Sequence, residues 1–353
     1  MSQTNSFNIR KTHYHSISSI LSSLDDEAIS VLLTKAKSLH VGIGGTSAVI
    51  SIDQTPVFIK KIPLTHLELL PQNLMSTANI FKLPSYYQYG VGSTGFGAWR
   101  ELAAHQMTTK WVLDDQCEHF PLLYHWRILH NDAQDANIKF WQDIESYSHY
   151  WENSREVRER VEALNFSTTH IALFLEYVPQ NLYTWLKEQL DNNDEQVEKA
   201  IRFIDDNLTQ TNTFMKNHGF IHFDAHFENI LTDGTRLYLS DFGLALSCEF
   251  NLSSKERAFF NHHQQYDDAC LAVNLLHSII SGLYGKTLWE SKLQDFIEDN
   301  EQDLLQPFIK STIKKYAPLA QVMDTFFQNL QKQSKLTPFP ESTVKKLLAQ
   351  INT

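Results

Sequence analysis

The sequence lacks paired cysteines and long apolar runs. Its three cysteines are far apart and form no CxxC pair, which fits a reducing compartment and argues against a zinc ribbon. No stretch approaches the roughly 20 unbroken apolar residues that a membrane helix needs. The opening residues, MSQTNSFNIRKTHYHS, contain no apolar segment of the kind that secretory signals carry. We therefore expect a cytoplasmic protein without a membrane segment.

The chain also lacks an excess of positive charge. Its formal net charge is −11, whereas nonspecific nucleic-acid binding needs a basic surface that replaces counterions. Nucleic acid is therefore not an expected partner. The 353 residues are 42% hydrophobic and 20% charged, which is typical of a folded protein with one large domain or two lobes.

Apolar periodicity predicts strands early in the chain and mostly helices later, the order that is typical of an α+β protein. Strands are expected from the glycine-rich stretch at 41–52, from 55–62 and from 170–178. Two short helices are expected within 16–38, the second capped by Asp25 or Asp26. Further helices are predicted at 98–113, 181–190, 197–217 and 267–283 and through most of 287–350.

Two polar stretches interrupt apolar segments in the second half of the chain. HFDAHFENIL, residues 222–231, carries histidines, an aspartate, a glutamate and an asparagine, and LSDFGLAL follows at 239–246. Phosphoryl transfer from ATP needs a flexible backbone over the phosphates, a lysine on them, a carboxylate that holds the lysine, a base near the acceptor hydroxyl and metal ligands. The candidates, in chain order, are Gly42, Gly44 and Gly45, then Lys60, Glu101, Asp224, Asn229 and Asp241.

These motifs resemble those of the protein kinase-like superfamily. HFDAHFEN is similar to the catalytic loop His-x-Asp-x-x-x-x-Asn, DFG at 241–243 matches the metal-binding motif, and VFIK, which ends at Lys60, resembles the strand with the phosphate-binding lysine. LEYV at 175–178 resembles the hinge that binds adenine through backbone groups. Asp267 resembles the aspartate that anchors the catalytic loop from below. The resemblance covers about 41–283.

The resemblance implies a two-lobed α+β fold with a small, mostly β N-lobe and a larger helical C-lobe. The implied parts are a helical extension at 1–40, an N-lobe at 41–178 with an insert at about 63–98, and a C-lobe at 179–353. It also implies an atypical, bacterial-type serine/threonine protein kinase that depends on ATP and Mg²⁺ and has a protein substrate. The implied catalytic residues are Asp224, Lys60, Glu101 and His226; ATP is bound by Gly42, Gly44, Gly45, Lys60, Glu176 and Val178, and Mg²⁺ by Asn229 and Asp241.

Several positions depart from the protein-kinase pattern. Phe223 replaces the arginine that meets a phosphorylated activation loop, so control by that route is not expected. His226 stands where serine/threonine kinases carry lysine, and His-x-Asp-x-His-x-x-Asn is similar instead to aminoglycoside and choline phosphotransferases. The span from Asp241 to Asp267 is only 26 positions and contains no Ala-Pro-Glu. The alternatives are therefore a small-molecule kinase that acts on a hydroxyl compound and a nucleotide-binding pseudokinase-like module.

Some assignments stay open at the sequence level. Glu68 is an alternative partner for Lys60, and Lys61 is an alternative to Lys60 itself. The glycines at 90–97 belong either to a plain loop or to a mobile lid. The insert could rigidify the helix that carries Glu101 and so replace control by phosphorylation. Imidazole and carboxylate also suit zinc or iron, which leaves a metal cluster of His222, Asp224 and His226 as another interpretation.

Overall fold

A computed structural model describes residues 3–42, 45–130, 142–285, 287–300 and 305–351. Within them the chain combines a five-stranded antiparallel sheet with many helices, which is compatible with the predicted α+β class. Among the described helices none is long and apolar enough to cross a membrane. The strands are β1 Lys37–Gly42, β2 Gly45–Ile52, β3 Thr55–Leu64, β4 Leu123–His130, β5 Thr169–Glu176, β6 Gln180–Asn181, β7 Phe220–Ile221, β8 Ile230–Thr232, β9 Leu237–Leu239 and β10 Leu246–Ser247.

The helices account for most of the rest of the described chain. In chain order they are α1 Gln3–Ser23, α2 Asp26–Thr34, α3 Ala98–Leu113, α4 Ile144–Tyr150, α5 Arg155–Asn165, α6 Leu182–Leu190, α7 Asp194–Asn217, α8 Ser254–His262, α9 Tyr266–Tyr284, α10 Trp289–Ile297, α11 Pro307–Lys332 and α12 Glu341–Ile351.

The chain divides into two compact units. The first contains Met1–Val178 together with Asp241–Glu256, and the second contains Pro179–Ser240 and Arg257–Thr353. Asp241–Glu256, which begins with the DFG motif, therefore groups with a part of the chain that is distant in sequence.

The first unit is built on the sheet β1-β2-β3-β5-β4, in which every neighbouring pair is antiparallel. Alternation along β3 buries Val57 and Ile59 completely. Helix α3 adds Trp99 and Leu102 to a core that also contains Leu173 of β5. The residues between β3 and α3, 65–97, are called the insert below; their only helical turns are the 3₁₀ turns Pro71–Asn73 and Ser85–Gln88.

The second unit is mainly helical. Helix α9 is apolar nearly all round and buries Leu271, Leu275, Leu276, Ile279 and Ile280, as expected of a helix that packs on several sides. The small antiparallel sheet β6-β8-β9 completes the unit, and β8 and β9 flank the turn that follows the catalytic-loop motif.

Local sequence signals located most elements, and α3 has the predicted bounds. The predicted capping is also confirmed, since the Asp25 side chain accepts from the Ala28 amide at 2.8 Å. The predicted start of the first helix near residue 16 is wrong, because α1 begins at Gln3. Its polar first half shows little apolar periodicity. Strand β4 and helices α4 and α5 were not predicted.

Candidate active site

Lys60 of β3 lies between two carboxylates of the first unit. Its Nζ is 2.6 Å from Glu101 Oε1, at the first turn of α3, and 2.8 Å from Asp241 Oδ1. The Lys60 and Glu101 side chains are 14% and 5% exposed, whereas that of Asp241 is 42% exposed. The structure thus brings together three of the residues that the sequence singled out. Of the two partners that the sequence allowed, Lys60 contacts Glu101.

The charges around Lys60 control its protonation. Burial alone would lower the pKa of Lys60, but the carboxylates of Asp241 and Glu101 outweigh it and hold that pKa above its usual value. Burial raises the pKa of Glu101, and Asp241 adds to this effect while Lys60 opposes it. Lys60 is therefore a permanent cation here, available to anionic oxygen atoms.

Glu68, the other candidate partner for Lys60, has a different task at the start of the insert. It is fully buried and contacts Arg160 of α5 at 2.9 Å. Its Oε2 accepts from the Thr65 amide, and the Glu68 amide contacts Thr65 Oγ1, which is the reciprocal pattern of a capping box. Its Oε1 accepts from the Ala98 amide, so the carboxylate caps the N-terminus of α3 from outside the helix. Burial would raise the pKa of Glu68, but Arg160 and these hydrogen bonds hold it below its usual range.

The glycine-rich turn joins β1 and β2, and the structure describes it in part. Gly42 pairs with Gly45 across the hairpin, whereas Gly44 lies outside the described residues. Gly45 has φ 144°, and a Cβ there would lie 2.0 Å from the Lys61 carbonyl oxygen. The close approach of β2 to β3 therefore requires glycine at this position.

The DFG segment has a strained start and a buried aromatic side chain. Asp241 adopts φ 61° and ψ 78°, a left-handed conformation that is uncommon outside glycine and concentrates at functional sites. Phe242 is fully buried and packs edge-on against His105 of α3, with ring centroids 4.8 Å apart. The turn that presents Asp241 is therefore attached to the same helix that supplies Glu101.

The hinge-like stretch at the end of β5 is occupied by an ion pair between a buried arginine and a partly buried glutamate. Arg10 of α1 makes two parallel contacts of 2.8 Å with the Glu176 carboxylate and also donates to the carbonyl oxygens of Glu118 and Phe120. The Glu176 amide donates to Leu122 O at 2.8 Å. Sequence reasoning missed Arg10, whose partners lie more than 100 positions away and leave no local signal.

In the second unit, Asn229 holds Asp224. The side-chain nitrogen of Asn229, Nδ2, donates to Asp224 O at 3.0 Å and to Asp224 Oδ2 at 3.1 Å. The Asp224 side chain is 25% exposed and keeps access to solvent. His226 is 43% exposed, with its Nε2 3.9 Å from Asp224 Oδ1. These three residues of the motif thus form one local cluster.

The catalytic-loop motif is anchored by Asp267 of α9. Asp267 Oδ2 accepts from the His222 amide at 2.6 Å and Oδ1 accepts from the Phe223 amide at 3.0 Å. Burial raises the pKa of Asp267 to about 7, although both amides favour the carboxylate. Phe223 has φ 63° and is buried beside Tyr266, with ring centroids 4.8 Å apart. An aromatic contact therefore stands where the resemblance would place an arginine.

The structure gives no support to the metal cluster of His222, Asp224 and His226. The fully buried His222 ring contacts Ser240 O through Nε2 at 2.9 Å, and its Nδ1 accepts from the Asp224 amide at 3.3 Å. Across the described ranges no three His, Cys, Asp or Glu side chains gather in a way that could hold a metal ion.

Comparison with known proteins gives a partial match to kinases. No family model matches the chain. Serine/threonine-protein kinase ICK of Rattus norvegicus and that of Mus musculus are each 40% identical to this chain over 77 residues, or 22% of the chain. The chain covers 12% of the length of these curated relatives. The similarity supports a kinase-like relationship for part of the chain.

Proposed function

We propose that this chain is an ATP- and Mg²⁺-dependent phosphotransferase, and in particular an atypical serine/threonine protein kinase that transfers the γ-phosphate of ATP to a protein hydroxyl. The position of Lys60 Nζ, 2.6 Å from Glu101 and 2.8 Å from Asp241, carries the proposal. Protein kinases use a strand lysine, its glutamate partner and the DFG aspartate for this reaction. The partial similarity to serine/threonine-protein kinase ICK favours a protein acceptor.

Each residue has one task in the proposed reaction. Lys60 neutralises phosphate oxygens, and Glu101 holds Lys60 in position. Asp224 orients the acceptor hydroxyl and takes its proton while the acceptor oxygen bonds to the γ-phosphorus and the bond from that phosphorus to ADP breaks. Positioning contributes more than proton removal, because the transition state is loose. The backbones of Gly42, Gly44 and Gly45 approach the phosphates, and backbone groups of Glu176 and Val178 bind adenine.

The proposed metal ligands have suitable chemistry. Mg²⁺ prefers oxygen ligands, which Asn229 and Asp241 carry. Because the side-chain N–H of Asn229 donates to Asp224, the side-chain oxygen of Asn229 is the atom that suits the cation. With ATP bound, Mg²⁺ supplies positive charge to the β- and γ-phosphates.

A small-molecule kinase is the second candidate. His226 is 43% exposed beside Asp224, where it could contact a phosphate or a small hydroxyl acceptor. Phe223, which is buried beside Tyr266, also stands at the position where kinases that are switched by phosphorylation carry an arginine. Both candidates use the same catalytic residues and differ in the acceptor.

Transfer of labelled γ-phosphate from ATP with Mg²⁺ tests the proposal. Wild type is compared with Asp224→Asn, alone, with a cell lysate and with a panel of small hydroxyl compounds. Asp206→Asn, an exposed aspartate on α7, is the matched control. We expect Asp224→Asn to lower transfer by about 10²–10⁴-fold, the usual range for a positioned acid–base group, and the control to retain it.

The distribution of label decides between the candidates. Label on protein that disappears in Asp224→Asn supports the protein kinase. Label confined to small compounds supports the small-molecule kinase. Binding of ATP without any transfer would contradict the proposed phosphotransferase activity and favour a nucleotide-binding module.

A further inference from the structure

The insert is an ordered part of the first unit rather than a loose loop. Tyr87 is fully buried and packs edge-on against Trp151, with ring centroids 4.6 Å apart. The Tyr87 and Tyr147 hydroxyls are 2.7 Å apart, and Tyr147 also donates to Gly92 O at 2.8 Å. Helix α4 and the residue after it therefore hold the second half of the insert in one conformation.

The same part of the insert contacts the DFG turn directly. The side-chain amide of the buried Gln88 donates to the carbonyl oxygen of Leu244. Gly95 has φ 73°, and a Cβ there would lie 2.2 Å from Gly243 O. The backbone of the insert thus approaches the DFG glycine as closely as glycine permits.

Other contacts tie the insert to the segment after DFG and to α3. Thr77 accepts from the Asn251 amide at 2.9 Å through its Oγ1 and from Arg100 of α3 at 2.7 Å through its carbonyl oxygen. Arg100 forms a buried ion pair of 2.6 Å with Glu256. At its start, the insert supplies the Glu68 carboxylate that caps α3. Both neighbours of Lys60, Glu101 and Asp241, are therefore on elements that the insert contacts.

We propose that the insert is a positioning element: Gln88 and Gly95 hold the DFG turn so that Asp241 stays beside Lys60 in the unphosphorylated chain. This inference rests on the proposed function for its catalytic meaning, and it specifies how the site is regulated. A turn that is fixed by the insert needs no phosphate to order it. The Phe223 position agrees, because its ring is enclosed by aromatic neighbours and offers no cation to a phosphate.

Gly95→Ala tests the proposal, and Gly285→Ala, at the end of α9 and outside the insert, is the matched control. Both glycines have positive φ, 73° and 86°, so both substitutions carry a backbone cost. Only at Gly95 does the new Cβ meet Gly243, since no heavy atom lies within 4 Å of a Cβ at Gly285. Gln88→Met is a second variant that keeps the side-chain volume but removes the donor to Leu244.

The first measurement is hydrogen–deuterium exchange of residues 241–252 without nucleotide. We expect exchange about tenfold faster in Gln88→Met, which is the effect of losing roughly one hydrogen bond, and at least as fast in Gly95→Ala, where the new Cβ would meet Gly243 O. Gly285→Ala should match wild type at residues 241–252, and β5 should exchange equally in all variants. Equal exchange of residues 241–252 in wild type, Gly95→Ala and Gln88→Met would overturn the inference.

The second measurement is the Mg²⁺ concentration for half-maximal transfer, on protein treated with phosphatase. We expect treated wild type to keep its activity, and the two insert variants to need about tenfold more Mg²⁺, because Asp241 is displaced. Loss of wild-type activity on phosphatase treatment would overturn the inference and leave the proposed function standing. A wild type without any transfer would refute the proposed function, while exchange still decides whether the insert holds the DFG turn.

Discussion

At the scale of single residues, the position of Lys60 between two carboxylates predicts which of two adjacent lysines binds phosphate. Lys60→Met removes the charge that faces Glu101 and Asp241. We expect transfer to fall by about 10²–10³-fold, as when one electrostatic group of an active site is removed. Steady-state rates of labelled phosphate transfer measure the change.

Lys61→Met is the control, because it changes the same residue type one position along β3. We expect its rate to stay within about threefold of wild type, because Lys60 and the two carboxylates beside it are unchanged. A larger loss in Lys61→Met than in Lys60→Met would show that the phosphate-binding lysine was assigned to the wrong residue.

Residue-level prediction works where a motif is contiguous in sequence. The polar run around Asp224 and the DFG motif could be recognised because their residue types and spacing are fixed by the chemistry of phosphoryl transfer. Partners that are distant in sequence have no such signal. Glu68 was an open alternative for Lys60, and only the folded chain shows it bonded to Arg160 and Ala98. The Thr65-x-x-Glu68 spacing is a capping-box signal that could have indicated only the bonds between Glu68 and Thr65.

At the scale of elements, α1 is attached to the sheet through Arg10. We expect Arg10→Ala to lower the free energy of unfolding by about 3 kcal/mol, because the largely buried Glu176 carboxylate loses Arg10 while it keeps the bond from the Leu122 amide. Urea-induced unfolding followed by circular dichroism gives the free energy.

Lys11→Ala provides the comparison one position along α1. Its ion pair with Asp115 is exposed, with side-chain exposures of 25% and 66%, and such pairs contribute about 0–1 kcal/mol. Similar losses in Arg10→Ala and Lys11→Ala would contradict a specific role for the buried pair.

Element prediction was accurate where burial produces a regular pattern. Helix α3 and the buried α9 have strong local periodicity, whereas the first half of α1 is polar and is held by a contact made 166 positions away. The insert has little regular structure. Its order comes from side chains such as Tyr87 and Tyr147, which no helical or strand period reveals.

At the scale of the whole molecule, a buried histidine links global stability to pH. His263 is 4% exposed, stacks on Phe259 with centroids 3.8 Å apart and donates to Phe259 O. Burial lowers the pKa of His263 to about 4, with a smaller contribution from the His262 charge. The unfolded chain, where the pKa of His263 is near 6.5, therefore binds more protons between about pH 4 and 6.5.

The contribution of His263 to the free energy of unfolding should fall as pH falls through that window. The difference between pKa values of 6.5 and about 4 corresponds to roughly 3 kcal/mol. His263→Phe cannot bind the proton, so its stability should decline less than that of wild type between pH 7 and 4 in urea titrations. His13→Phe, at an exposed position of α1, should follow wild type. Parallel curves for wild type and His263→Phe would refute the assignment.

The division of the first unit into two chain segments has a consequence for synthesis on the ribosome. The sheet, the insert and α3 are made well before Asp241–Glu256, which belongs to the same unit. Until residue 241 has emerged, Lys60 and Glu101 lack Asp241, and until residue 256 has emerged, Arg100 lacks its buried partner Glu256. A nascent chain that ends before residue 241 therefore contains buried charges without their partners, a costly arrangement that delays completion of this unit until the second unit is partly made.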